Sequence, residues 1–257
     1  MTEFTVKLAG HVIGVTAGYE STREFCREYL CEEKPEFSVE ILPSDIDFER
    51  QKSEKEDRME GIPARRFPDA YLETLAVYRK IAKWMLEQDT MLFHGSAIAV
   101  DGVGYLFTAK SGTGKSTHTR LWRQMLGDRA VMINDDKPLL KVTDRGVLVC
   151  GTPWNGKHRL GTDASVPLKA ICVLQRGQEN EICPISAKEA LPVLLQQSYR
   201  PGDGVAMGQL LGLLDRLTKS VKFYRLCCNM EPQAAAVAYE AMSHGGENRE
   251  NEGISYE

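Results

Sequence analysis

Hydrophobic positions along the chain change period several times, and each change predicts an element. Phe4 to Leu8 and Val12 to Thr16 alternate apolar and polar around Ala9-Gly10-His11, which predicts a pair of strands. Ser21-Thr-Arg-Glu24 has the spacing of a capping box and predicts a helix to about Cys31. Phe37, Val39 and Ile41 alternate again, as a third strand would. From Pro43 to Arg66 mixed charge replaces the apolar pattern, and the stretch reads as a linker or mobile loop. Leu72, Leu75, Ala76, Ile81, Ala82 and Met85 then recur mostly three and four apart, a strong amphipathic helix beginning at Asp69.

The second part is denser in short apolar runs. Ser96 to Val100 and Val103 to Thr108 flank Asp101-Gly102, a pair that favours a type I′ hairpin turn. A helix over Ser116 to Met125 and a short strand over Ala130 to Ile133 follow. Leu139 to Val142 and Val147 to Cys150 bracket Thr143-Asp-Arg-Gly146 as a further hairpin. Ala170 to Leu174 reads as a buried strand. Ser186-Ala-Lys-Glu189 opens a helix that contains Pro192. Residues 205–218 predict a helix, Val221 to Cys228 a strand, and Pro232 to Met242 a last helix. The organisation expected is a small α+β module over 1–66 whose end, 43–66, is the charged linker, a nucleotide-binding core over 67–244, and a polar, disordered tail over 245–257.

Composition narrows the class. The 257 residues are 42% hydrophobic and 26% charged, with a net charge of −4, which gives no footprint for nucleic acid or an anionic membrane. No apolar run approaches the roughly 20 residues of a membrane span, and the N-terminus has no signal-peptide pattern. Seven cysteines without a CxxC pair argue against a disulfide framework or a zinc site. These features predict a cytoplasmic protein and leave self-association open.

Ala109-Lys-Ser-Gly-Thr-Gly-Lys-Ser116 matches the Walker A pattern except that Ala109 stands at the first glycine. Gly112 and Gly114 let the backbone turn its N–H groups inward, and the helix that starts there adds its positive end. Ser111, Gly112, Thr113, Gly114, Lys115, Ser116 and Thr117 are the expected nucleotide-binding residues. Lys115 suits the β- and γ-phosphates of ATP, and the Ser116 hydroxyl suits Mg2+.

Ala130-Val-Met-Ile-Asn-Asp-Asp136 is an apolar strand ending in two acids. One carboxylate serves a metal, with Ser116 and Asp136 the candidate ligands. The second is free to take a proton from an attacking hydroxyl, and the sequence does not divide these roles between Asp135 and Asp136. Phe93-His94-Gly-Ser96 precedes the hairpin that returns to the phosphate loop, so His94 joins Lys115, Asp135 and Asp136 as a candidate catalytic residue. Gly151-Thr-Pro-Trp-Asn-Gly-Lys-His-Arg159 ends in three basic residues. Lys157, His158 and Arg159 read either as a clamp for an acidic acceptor or as an ordinary solvated loop.

The set His94-Gly95, Asp101-Gly102, Ser111-Gly-Thr-Gly-Lys-Ser-Thr117 and Asp135-Asp136 resembles the HPr kinase/phosphorylase family and, more widely, the phosphoenolpyruvate-carboxykinase-type P-loop superfamily. The resemblance implies a mixed α/β fold whose kinase core feeds the phosphate loop from an antiparallel hairpin. It implies ATP and Mg2+ as cofactors, with Lys115 and Ser116 handling phosphates and metal, catalysis by the aspartate pair, and His94 near the centre. The glutamate-Arg-Gly signature of HPr kinases has no counterpart here; the loop Gly151 to Arg159 stands in its place. The expected activity is phosphoryl transfer from ATP to a hydroxyl, of serine type, on a small molecule or protein. The alternatives are a non-catalytic ATP-binding sensor and, less favoured, a carboxykinase-like lyase.

Overall fold

The structure is a computed structural model and describes residues 1–244; the tail expected over 245–257 lies outside the described residues. The fold is mixed α/β and divides into two compact units. One comprises Met1–Met91 with Pro201–Gln209, the other Leu92–Arg200 with the chain from Leu210 on.

In the first unit β1 (Thr2–Leu8) and β2 (His11–Ala17) form the expected hairpin. Helix α1 is only Glu20–Phe25, followed by β3 (Leu30–Cys31) and β4 (Phe37–Glu40), giving sheet order β3-β1-β2-β4. The capping box at Ser21 does not form. The buried carboxylate of Glu73 takes over that task, accepting from the N–H of Gly18 at 2.6 Å and of Tyr19 at 3.1 Å and from the Thr22 hydroxyl. A distant residue has replaced a local cap.

The charged stretch expected to be a loop is instead helix α2 (Pro43–Glu60). Pro43 stands in the first turn, the Asp45 carboxylate accepts from Leu42 N–H at 3.0 Å, and Gly61 at φ 69° closes the helix. Its charges are partners rather than solvated decoration. Asp45 and Glu49 meet Arg79 of α3 (Asp69–Met85), and buried Asp57 is clasped by Arg65.

β5 (Thr90–Leu92) leads into the second unit. There β6 (Ser96–Val100) and β7 (Val103–Thr108) pair antiparallel across Asp101 and Gly102, whose φ values of 50° and 80° are those of the expected turn. Helix α4 (Lys115–Leu126), β8 (Ala130–Asn134), β9 (Leu139–Thr143), β10 (Gly146–Cys150), β11 (Ser165–Arg176), β12 (Glu181–Ile185), α5 (Ala187–Gln197), α6 (Gly204–Ser220), β13 (Lys222–Cys228) and α7 (Gln233–His244) follow. The strands run β9-β10-β11-β7-β6-β8, with β13 beside the later half of β11 and β12 beyond it.

β7 is antiparallel to β6 but parallel to β11, and β11 is parallel to β13. The sequence signalled the antiparallel neighbour through its turn; parallel pairing leaves no local mark. α4 and α7 cover one face, burying Trp122, Phe107, Tyr105, Ala235, Ala238 and Met242. The fully buried indole donates to His118 Nε2 of the same helix at 3.1 Å and packs against the Phe107 and Tyr105 rings of β7, with centroids 5.1 Å away in each case, so the helix that follows the phosphate loop is seated on the sheet. Replacing such a side chain by Ala removes about 3–5 kcal/mol. No helix among the described residues is long and apolar enough to cross a membrane.

Candidate functional site

The site starts where β7 runs out of apolar residues. Ala109, at the position of the missing glycine, is buried, and its carbonyl accepts from Lys115 Nζ at 3.1 Å. Residues 109–114 carry no regular structure before α4 begins at Lys115. Gly112 sits at φ 75° and Gly114 at φ 122°. A Cβ at either would meet nothing within 4 Å, so these glycines are required by conformation, and the space above them is open. No side chain caps α4 at Gly114, and the first helical bond is from His118 N–H to the Gly114 carbonyl. The first-turn amides of Lys115, Ser116 and Thr117 thus present an uncapped positive end.

The Lys115 side chain is buried, with no carboxylate within ion-pair distance among the described residues. Burial pushes its pKa below the ordinary lysine value, and the charges of Asp136 and Asp135 pull it partly back. A buried ammonium next to unsatisfied amides makes a site for a polyanion.

The two aspartates sit in different surroundings. Asp135 is buried; its Oδ1 accepts from the Ser96 hydroxyl at 2.6 Å, and the Ser116 hydroxyl lies near enough to its carboxylate to favour the charged form. Burial raises its pKa, while Ser96 and Ser116 oppose the rise. Asp136 is half-exposed, with Oδ1 3.5 Å from His94 Nε2 and Oδ2 3.9 Å from Lys137 Nζ. The hydroxyl expected to share a metal with Asp136 therefore lies near Asp135. The His94 pKa is lowered by burial and by the charge of Lys115, while the charge of Asp136 and the nearby Gln197 side chain oppose the fall.

Asn134 makes this division possible. It ends β8 fully buried, and its Oδ1 accepts from the N–H groups of Asp136 at 2.9 Å and Lys137 at 2.7 Å. Its Nδ2 donates to the Thr152 carbonyl at 3.1 Å and hydroxyl at 2.9 Å. This Asx turn fixes the backbone that follows Asp135, leaving one carboxylate buried and the next half-exposed. The loop from Gly151 is tied to the same turn, because Lys137 N–H donates to the Trp154 carbonyl at 3.1 Å. A Cβ on Gly156 would lie 3.4 Å from Asp136 Cβ. Trp154 and Asn155 are buried; Lys157, His158 and Arg159 are exposed, and His158 lies close enough to draw the Asp135 pKa down.

The phosphate loop, the aspartates, His94 and the basic loop thus converge within one unit. Sequence reasoning missed Ser96, Thr119, Asn134, Thr152 and Gln197, which orient the others. Thr119 Oγ1 lies 3.0 Å from Ser96 Oγ, continuing the chain of hydroxyls to Asp135. Only Asn134 left a signal, as an asparagine between an apolar run and two acids.

A family described as SynChlorMet cassette protein ScmC matches residues 70–211. No curated protein matches the chain. Among solved structures, the Hpr(Ser) kinase/phosphatase from Coxiella burnetii superposes with a TM-score of 0.36 at 10% identity, covering 58% of this chain and 94% of that one. So low a TM-score transfers neither an activity nor a residue role.

Proposed function

We propose that this chain, which belongs to the SynChlorMet cassette protein ScmC family, transfers the terminal phosphoryl group of ATP to a hydroxyl. The observation that carries the reading is the pairing of a buried, carboxylate-free Lys115 and an uncapped helix end with two carboxylates in unlike environments. ATP and Mg2+ fit the residues present: amides of Gly112 and of Gly114 to Thr117 with Lys115 for phosphate oxygens, Ser116 and Asp135 as metal ligands. Bound Mg2+ would neutralise part of the charge that develops between the β- and γ-phosphates.

In this scheme Asp136 is the base. Its half-exposed carboxylate is oriented by His94 and takes the acceptor hydroxyl proton as the acceptor oxygen–phosphorus bond forms and the bond to the ADP oxygen breaks. Lys115 and the loop amides hold the charge spreading over the phosphoryl oxygens. Ser96, through Asp135, keeps the metal-binding carboxylate fixed. The exposed Lys157, His158 and Arg159 follow Gly156, which lies against Asp136, and in this scheme they favour an acceptor carrying a carboxylate or phosphate near its hydroxyl.

The aspartates test this division. Asp136→Asn should bind Mg-ATP as the wild type does and lose phosphoryl transfer by about 100-fold or more. Asp135→Asn should lose the Mg2+ dependence of nucleotide binding. Full transfer by both variants would refute the assignment.

A further inference from the structure

β7, β11 and β13 run parallel, so their C-terminal ends share one edge of the sheet. β7 stops at Thr108, level with Val173, while β11 continues for three residues to Arg176 and flanks the phosphate loop. The backbone there is fixed: Arg176 pairs with Cys228, and Gly177 N–H donates to the Cys228 carbonyl at 3.0 Å. From this mount the exposed Arg176 side chain donates from Nη2 to the Gly112 carbonyl at 2.6 Å. No carboxylate lies within ion-pair distance of Arg176 among the described residues, so the loop carbonyl is its anchor.

That carbonyl belongs to the peptide joining Gly112 to Thr113, a rigid plane whose C=O and N–H point opposite ways. The Thr113 N–H at its other end donates to the Lys110 carbonyl at 3.2 Å. The four residues Lys110 to Thr113 thus form a turn with positive φ at its third residue, Gly112, as a type II turn requires. Rotating the plane breaks both bonds together. We infer that Arg176 is a positioning residue, which holds the phosphate loop in its anion-receiving shape before nucleotide arrives. This rests on the reading of the loop as a nucleotide-phosphate site. A loop ordered beforehand spares binding the entropy of ordering it.

The test uses the full chain with Arg176→Ala and Arg176→Lys, titrated calorimetrically with Mg-ATP and Mg-ADP. Amide exchange over 111–114 is followed without nucleotide. Because the clamp acts on the loop and not on one phosphate, Arg176→Ala should weaken ATP and ADP alike by about tenfold, about 1.4 kcal/mol. Exchange at 111–114 should quicken with the melting temperature unchanged. Arg176→Lys should recover most of the affinity, since one N–H suffices for a carbonyl. A loss confined to ATP would mean a direct contact with the terminal phosphate and overturn the inference, as would unchanged affinity for both nucleotides. Failure of the wild type to bind Mg-ATP would instead sink the nucleotide reading, and the exchange experiment would still report on the clamp.

Discussion

Lys115 makes a prediction with two opposite signs. Its ammonium is buried and donates to the Ala109 carbonyl, with no carboxylate within ion-pair distance among the described residues, and burial depresses its pKa. A group whose folded pKa lies below its unfolded value of 10.5 destabilises the fold at neutral pH, and the penalty fades only as the pH rises toward 10.5. Lys115→Met keeps the aliphatic stem and removes the charge, so the free protein should become more stable by about 1 kcal/mol, raising Tm by about 2–4 °C. Mg-ATP binding moves the other way. Losing a charge-assisted contact worth about 1.5–3 kcal/mol weakens Kd by at least about tenfold. At a nucleotide concentration of 100 times the wild-type Kd, ligand stabilises the wild type by about 2.7 kcal/mol and such a variant by about 1.4 kcal/mol. Thermal unfolding with and without Mg-ATP reads both effects. The reasoning is refuted if the variant melts lower than the wild type without ligand, or if its Mg-ATP shift equals the wild-type shift.

Two further outcomes follow from the same geometry. Arg159→Ala and Lys157→Ala should each lower kcat/KM for the acceptor by about tenfold while the KM for ATP hardly moves; steady-state kinetics with both substrates varied would show it, and unchanged acceptor kinetics would leave the loop as surface. His118, under the phosphate loop and edge-on to Phe107 at 4.6 Å, is pushed by burial to about 4. Because the unfolded chain takes that proton near pH 6.5, stability should fall on acidification between pH 6.5 and 4, by on the order of 3 kcal/mol. His118→Gln should flatten that part of the stability–pH curve, and an identical acid limb would contradict the attribution.

The features that sequence showed best were those whose signal is local. Asp101-Gly102 specified its hairpin, and the glycines of the phosphate loop adopt the positive φ angles their identity suggested. Elements fixed by distant partners stayed hidden. Low apolar content over Pro43 to Glu60 suggested a loop, yet its acids are paired with Arg79 and Arg65, and the helix forms. The box at Ser21 was overruled by Glu73, some fifty residues away. Strand β5 was missed because three residues carry too little periodicity, and β12 because Pro184 and its exposed residues break the strand pattern. In the site, the adjacent aspartates were visible, but their unlike environments were not. Those depend on Ser96, Asn134 and Thr152 meeting across three different strands and loops.

Phosphoryl transfer itself is the most direct test. Purified protein would be incubated with γ-labelled ATP, Mg2+ and a panel of hydroxyl-bearing metabolites and serine-containing peptides, alongside Asp136→Asn. The account predicts label on an acidic, hydroxyl-bearing acceptor with the wild type, none without Mg2+, and almost none with the variant. Mg-ATP bound tightly by the wild type with no label leaving it for any acceptor, or equal labelling by Asp136→Asn, would contradict it.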